Sequence, residues 1–429
     1  MRGLAVVLLL SAMPMPWSAA AQDAAGPADA VRVPARLTLD EALRLAEARS
    51  PALLEARART AVAEADALGA PKRPNPTLDV EFRGYPLFES NLPPVLDNVE
   101  LTIALDQEFE PGDRRRWRRE AAQLGAQASA AEGLDMLRRL RLEVQRAYVR
   151  VVLAEAEGDA AQATLEDVDR VLSINRVRYE QGELSGVELR RLQVERHRFA
   201  DDAQVADLAI RNARSRLLSL LNVRPLDQPF ETVDMLPEEG ALPPIVTAPA
   251  AGSVPERADL RALRLGEQRA EADAKLQHAL RIPPFSFGGG YQRDFGANAI
   301  VLRATVPLAL WNRNEGGRAR AAAERTLAAS RTSAASAAAE LEVQLARNAV
   351  ENSRTRVAAI ASEYVKNARE ARDIVLAAYR AGAATLIDYL DAQRAFRDAQ
   401  RAEHRARFDY RVSVFELEAA TGTSGPAGQ

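Results

Sequence analysis

All 23 prolines of this 429-residue chain fall outside two intervals, residues 112–224 and 308–425. Proline inside a helix costs about 3 kcal/mol, because it lacks the donor N–H and its ring collides with the preceding turn. Two stretches of more than a hundred residues without one therefore predict very long helices. Both are rich in Ala, Leu, Arg, Glu and Gln, which lose little freedom in a helix. In the first, apolar or small residues recur at alternating steps of three and four, through Leu137, Leu140, Val144, Ala147, Val151, Ala154, Gly158, Ala161, Leu165, Val168 and Leu172. Five heptads of such a seam predict coiled-coil packing, and the alanines allow close helix approach.

Each interval has one break, at Tyr179-x-x-Gly182 and Tyr379-x-x-Gly382. Glycine just past a helix end takes the left-handed conformation that caps it, so the chain should reverse near 180–185 and 380–385. Each interval then becomes a helical hairpin. The outgoing arms, Asp113 to Tyr179 and Glu315 to Tyr379, are roughly 65 residues long, about 100 Å at 1.5 Å per residue.

Ahead of each interval the period changes to two. In "TLDVEFRGY" Leu78, Val80 and Phe82 alternate with Asp79, Glu81 and Arg83, and "VELTIALDQEF" repeats the pattern. "FSFGGGYQR" and "AIVLRATVPL" are weaker versions. Strands are expected near 77–85, 99–109, 285–293 and 299–308, each close to the roughly 9 to 11 residues of a tilted transmembrane strand. A half-buried soluble sheet would show the same alternation. Aromatic residues near the strand ends, Tyr85, Phe109, Tyr291 and Trp311, and an export signal favour a membrane instead.

That signal is residues 1–21: Met1-Arg2, the apolar run "GLAVVLLLSAM", and small residues ending at Ala19-Ala20-Ala21. The run is about half the roughly 20 residues of a spanning helix, and no later run reaches 18. A membrane part must therefore be made of strands. Four strands cannot close a barrel, and open edges in lipid leave backbone groups unsatisfied, so further copies of the chain must supply the rest. Two copies would close eight strands and three would close twelve.

The chain says most of this twice. "AEADA" occurs at 63–67 and 270–274, an offset of 207; "LEVQ" at 142–145 and 341–344, an offset of 199; the Tyr-x-x-Gly elements are 200 apart. The order helix, strand, strand, long helix, reversal, returning helix is thus duplicated in residues 22–222 and 256–422. A Pro-rich connector of little regular structure, 223–255, joins the halves, and 423–429 is a disordered tail. The first strand loop is expected to be longer than the second, near "DFGAN".

Composition excludes several functions. With 57 basic and 60 acidic residues well mixed, there is no block for nucleic acid. Cysteine is absent, removing disulfides, thiolate metal sites and a cysteine-linked lipid anchor. His197, His278 and His404 stand apart, so no metal site or cofactor is expected and no catalytic constellation is present.

With these features in place, the chain resembles the outer-membrane efflux protein, or TolC-like, family. The match is carried by "LTLDEALRLAEARSPALLEARA", by "RPNP" before the first strand, and by both Tyr-x-x-Gly elements with Glu188 or Asp388 and a Gln downstream. The resemblance implies a mainly α chain with a membrane β-barrel part. Three chains would form a 12-stranded outer-membrane barrel, four strands each, continuous with a long periplasmic α-helical coiled-coil barrel. It further implies a homotrimer in outer-membrane lipid, a periplasmic adaptor (membrane fusion) protein and an inner-membrane RND-type transporter. "LDQEFEPGDRRRWRREAA" and "VPLALWNRNEGGRARAAAE" look most like the CzcC-like heavy-metal cation subgroup, although Pro111-Gly112-Asp113-Arg114 stands where that subgroup has Gly-Gly-Lys-Arg. A drug or peptide duct is the alternative within the family. An exported trimeric coiled-coil adhesin or scaffold is the alternative outside it.

Asp388 and Asp391 lie three apart on one helix and so share a face. The resemblance makes them carboxylate rings of a periplasmic gate, tethered by interhelical contacts of Tyr379 and Glu188, with Ala384 in place of a family arginine. It also makes Tyr179, Gly182 and Gly382 the turns an adaptor would contact.

Overall fold

The computed structural model describes residues 32–84, 100–234, 236, 257–294 and 297–422. The expected signal at 1–21, Tyr85, most of the first strand loop, much of the connector and the tail 423–429 lie outside the described residues.

A two-residue strand, β1 (Arg36–Leu37), precedes α1 (Leu39–Arg49). Thr38 and Glu41 form a capping box at the start of α1, each side chain accepting the other's backbone N–H. Where the sequence suggested one helix there are two, because Pro51 opens α2 (Pro51–Gly69) at the position where its missing N–H costs nothing. Next come β2 (Thr77–Arg83), β3 (Glu100–Phe109), the 67-residue α3 (Arg114–Glu180) and the returning α4 (Gly186–Leu220). The second half follows the same plan. It has α5 (Ala258–Ala279), β5 (Phe285–Asp294), β6 (Ala297–Thr305), α6 (Glu315–Ala359), α7 (Val365–Arg380) and α8 (Leu386–Thr421).

The heptad seam of α3 is buried at eight of its eleven positions and half-buried at Leu137, Gly158 and Leu165. Both reversals are αL caps of one type. At the first, Glu183 N–H donates to the Arg178 carbonyl at 2.8 Å and Gly182 N–H to that of Tyr179 at 3.0 Å, with Gly182 at φ +77°. At the second, Ala383 N–H reaches Ala378 at 2.8 Å and Gly382 N–H reaches Tyr379 at 3.1 Å, with φ +76°.

One feature breaks the duplication. Between "LEVQ" and the tyrosine the repeat offset grows from 199 to 200, so the second arm carries one extra residue. A single π-helical turn, Ile360–Tyr364, separates α6 from α7 and has no counterpart in α3. A π turn holds one residue more than the α turn it replaces, so it absorbs the insertion without turning the apolar stripe away from its partner.

The start of the connector packs back on the first half: β4 (Glu231–Thr232) pairs in parallel with β1, and Val223, Phe230 and Leu236 are buried. The Tyr148 hydroxyl of α3 ties the region together, its one proton shared between the Leu37 carbonyl at 2.8 Å and the Asp234 carboxylate at 2.7 Å. These contacts join the largest core cluster, where Leu140 to Ala154 of α3 meet Leu217 and Leu218 of α4 and Phe415 of α8.

The other sheet has the order β2-β3-β5-β6 and is antiparallel throughout. Each half contributes one hairpin, side by side. The first hairpin is closed by residues 84–99 and the second by 295–296 alone, as the change in repeat offset predicted.

Candidate functional site

The register of the sheet decides which side chains share a face, since directly paired residues point the same way. Val80 is paired with Ile103, Ile103 with Tyr291, and Tyr291 with Ile300. The row beside it runs Leu78, Leu105, Gly289, Leu302. These rows make one apolar face, and it is open: Ile300 is 85% exposed, Leu302 73% and Leu78 68%. A soluble sheet would have buried it. A continuous apolar face of this size marks a surface made for lipid or another chain.

The opposite face is polar. Arg303 of β6 reaches Asp106 of β3 at 3.4 Å and Asp79 of β2 at 3.9 Å, crossing over β5 at Gly288. A Cβ on Gly288 would lie 2.1 Å from an Asp106 carboxylate oxygen, so only glycine leaves the passage open. Gln292 donates to Glu100 at 2.7 Å on the same face. The sheet thus carries an apolar side and a charged side, and β2 and β6 have unpaired edges among the described residues.

At the far end of the helices the two reversals lie together. Arg178 Nη2 donates to the Arg380 carbonyl at 2.9 Å, tying the last turn of α3 to that of α7. Beneath them Val168, Val171 and Leu172 of α3, Leu192 of α4, Tyr379 of α7 and Tyr389 of α8 form a separate core. Tyr379 is buried, stacks on Tyr389 with ring centroids 5.7 Å apart, and donates its hydroxyl to Asn175 Oδ1 at 2.9 Å. Burial pushes the Tyr379 hydroxyl up and the Tyr389 hydroxyl up to about 12, the nearby Asp167 charge adding to the latter. Tyr179, the duplicate of Tyr379, is half exposed and lies against Gly186.

Glu188 and Asp388 are the third residues of two matching capping boxes. The Glu188 carboxylate accepts from Ser185 N–H at 3.4 Å and Oγ at 3.2 Å, and Asp388 accepts from Thr385 N–H at 2.9 Å and Oγ1 at 2.6 Å. Within the chain, the interhelical hydrogen bond of Tyr379 goes to Asn175. Hydrogen bonds from Thr385 hold the Asp388 carboxyl below the usual carboxylate range. Asp391 shares the exposed face with Asp388 and is paired with Arg394 at 2.9 Å, which also holds the buried Glu195 of α4 at 2.6 Å. Gly182 and Gly382 face open space at the tips, next to the exposed Val187 and Ile387.

Asn175 had a signal in the sequence that the duplication hid. The three-four step beyond Leu172 lands on Asn175 and then Tyr179, so a polar residue sits on the apolar seam, but its duplicate position is Val375. A buried polar residue on such a seam fixes register. The capping boxes supply a local test. Thr385→Ala should cost about 1 kcal/mol of local stability, read as faster amide exchange at Ile387 and Asp388, while exchange in the middle of α8 stays unchanged.

No described helix is long and apolar enough to cross a membrane, and no three His, Cys, Asp or Glu side chains gather to hold a metal among the described residues. The sequence model of the outer membrane efflux protein family matches residues 42–223 and 254–423. Among solved structures, the outer membrane protein VceC from Vibrio cholerae is 20% identical over 90% of this chain and 96% of its own, with a TM-score of 0.73. CusC is 16% identical over 89% and 91%, with a TM-score of 0.76. The Neisseria gonorrhoeae MtrE outer membrane channel, in its open state, is 20% identical over 90% and 88%, with a TM-score of 0.70. Likeness at these identities is likeness of fold. A search of the curated proteins finds no match.

Proposed function

The chain belongs to the outer membrane efflux protein family, whose members are channels rather than enzymes, and on that premise we propose that it is the passive exit duct of a tripartite efflux system. The observation that carries this reading is the four-stranded sheet with an open apolar face and two unpaired edges, set on helices about 100 Å long. Three copies would join β6 of one chain to β2 of the next and close twelve strands, leaving no edge in lipid. The charged face of Asp79, Asp106 and Arg303 would then line the lumen. The helical hairpins would extend through the periplasm, with Tyr179, Gly182 and Gly382 at the tips that meet an adaptor and, beyond it, an RND-type transporter.

Heavy-metal cations are the proposed cargo, on the resemblance of residues 105–122 and 306–324 to the CzcC-like subgroup. On this reading the wall acts as a conduit and selection lies upstream. A deletion strain tested against zinc, cobalt, cadmium, copper and a drug panel decides the cargo: sensitivity to drugs alone would overturn the metal reading. The assembly is tested by the mass of the detergent-solubilised protein, where three subunits are expected and a monomer without conductance would end the duct reading. Asp79→Asn and Glu81→Gln should leave that mass unchanged and lower cation preference in planar-bilayer recordings, because both side chains share the charged face.

A further inference from the structure

The apolar face of the sheet ends, at the helix side, in a stacked pair: Phe109 of β3 and Phe285 of β5, ring centroids 5.5 Å apart and both close to half exposed. Directly beyond them a cavity of about 960 Å³ opens between the rings, the turn at Pro71–Pro74 and the start of α3. Five arginines line it, Arg73, Arg114, Arg115, Arg116 and Arg119, against the three acids Glu108, Glu110 and Asp113. Glu110 is already taken by Arg118, at 2.6 and 3.0 Å, which holds its carboxyl below the usual range. Arg73, Arg115 and Arg119 are exposed and make no ion pair among the described residues. Arg114 is 95% buried; one of its terminal nitrogens donates to the Leu280 and Ile282 carbonyls, yet its Nε has no partner.

The order of surfaces is that of a phospholipid: apolar strands, an aromatic rim, then cations. Arg115 and Arg119 are four apart and share a helix face, and guanidinium groups bind phosphate by paired charge-assisted hydrogen bonds. The cavity lies under the central strands β3 and β5, away from the edges where another copy of the chain would pair. We propose that it is a headgroup site for an anionic glycerophospholipid of the inner leaflet of the outer membrane. The phosphate diester sits among Arg73, Arg115 and Arg119, and the acyl chains run along Phe109 and Phe285. The site rests on the membrane placement of the sheet.

The test reconstitutes the full-length assembly in phosphatidylcholine bilayers with trace spin-labelled phosphatidylglycerol or spin-labelled phosphatidylcholine, and reads the motionally restricted fraction of each. Phosphatidylglycerol should be preferred by about fivefold or more, and Arg115→Gln with Arg119→Gln should bring the ratio near one. Arg115→Lys with Arg119→Lys should keep most of the preference, because the charge remains. Should the double glutamine variant not assemble, Arg119→Gln alone reads the same ratio. Equal restriction of both lipids in the native protein overturns the site. So does a preference untouched by the glutamine variants, or displacement of the labelled lipid by millimolar inorganic phosphate at constant ionic strength. Loss of adaptor co-purification in the variant, without lipid preference in the native protein, would give the cavity to a protein partner and equally overturn it. If neither lipid is restricted at all, the membrane placement itself fails, which distinguishes that failure from the absence of this site alone.

Discussion

Arginine in place of Leu105 should destabilise the assembled channel by roughly 2 to 4 kcal/mol, the cost of a cation on the lipid face of a barrel near the bilayer midplane. The register sets the order of the effects. The row through Leu105 lies between the aromatic rim at Phe109 and Phe285 and the row in which Phe82 and Leu101 meet Arg293 and Asn298. That last row is already polar on two strands, so it marks the far border of the apolar band. Val80→Arg, one row from Leu105, should therefore cost nearly as much, and Phe82→Arg much less, since cost falls to about 0 to 1 kcal/mol at the interfaces. Guanidinium unfolding of the reconstituted protein gives the comparison. If Asp79→Arg on the opposite face is as damaging as Leu105→Arg, the sheet does not have one face in lipid.

The same register explains how much could be read from the chain itself. Alternation in "TLDVEFRGY" and "VELTIALDQEF" placed the first two strands within two residues, because each apolar residue there has a polar neighbour. The last strand was placed two to three residues late, at 299–308 instead of Ala297–Thr305, since Val306 and Leu308 prolong the apolar pattern across Pro307, the residue that marks its end. The helical arms and their reversals were legible apart from the π turn Ile360–Tyr364, as proline exclusion and the two capping glycines mark them. Contacts between the halves were not. That Tyr379 meets Asn175 depends on how α7 sits beside α3, and nothing local in either segment encodes that. The pairing of β4 with β1 was hidden for the same reason: "PFETVD" is too short to show a period, and it is held by Tyr148 from α3, far away in sequence.

Tyr379→Phe should raise the basal conductance of the purified channel by about 5- to 150-fold. The ring stays stacked on Tyr389, so packing is kept, and only the hydroxyl bond to Asn175 is lost. Asn175 is then left without a partner in a buried site, because its Nδ2 already lacks one. An unmade buried hydrogen bond of this kind costs about 1 to 3 kcal/mol. If the contact exists only in the closed arrangement, that energy passes into the ratio of open to closed channels. Glu188→Gln should do little by comparison, since its carboxylate closes the cap at Ser185 and not a bridge between helices. Asp388→Asn belongs to a different class of effect. Asparagine retains an acceptor for the Thr385 cap while removing one charge per chain, so cation block should weaken with open probability unchanged. Asp391→Asn should add little, its charge being offset by Arg394. The hydrogen bonds that lower the Asp388 pKa keep the carboxylate charged at neutral pH. Block should therefore persist through the pH range in which an ordinary aspartate takes up its proton and be lost only below it, the direction required of an acid whose folded pKa is depressed. Tyr379 and Tyr389, both pushed upward by burial, stay protonated across this range, so open probability should not follow pH with the block. Should Tyr379→Phe leave current unchanged while Asp388→Asn alone opens the channel, the tyrosine contact is ordinary core packing and the closed state is held by charge.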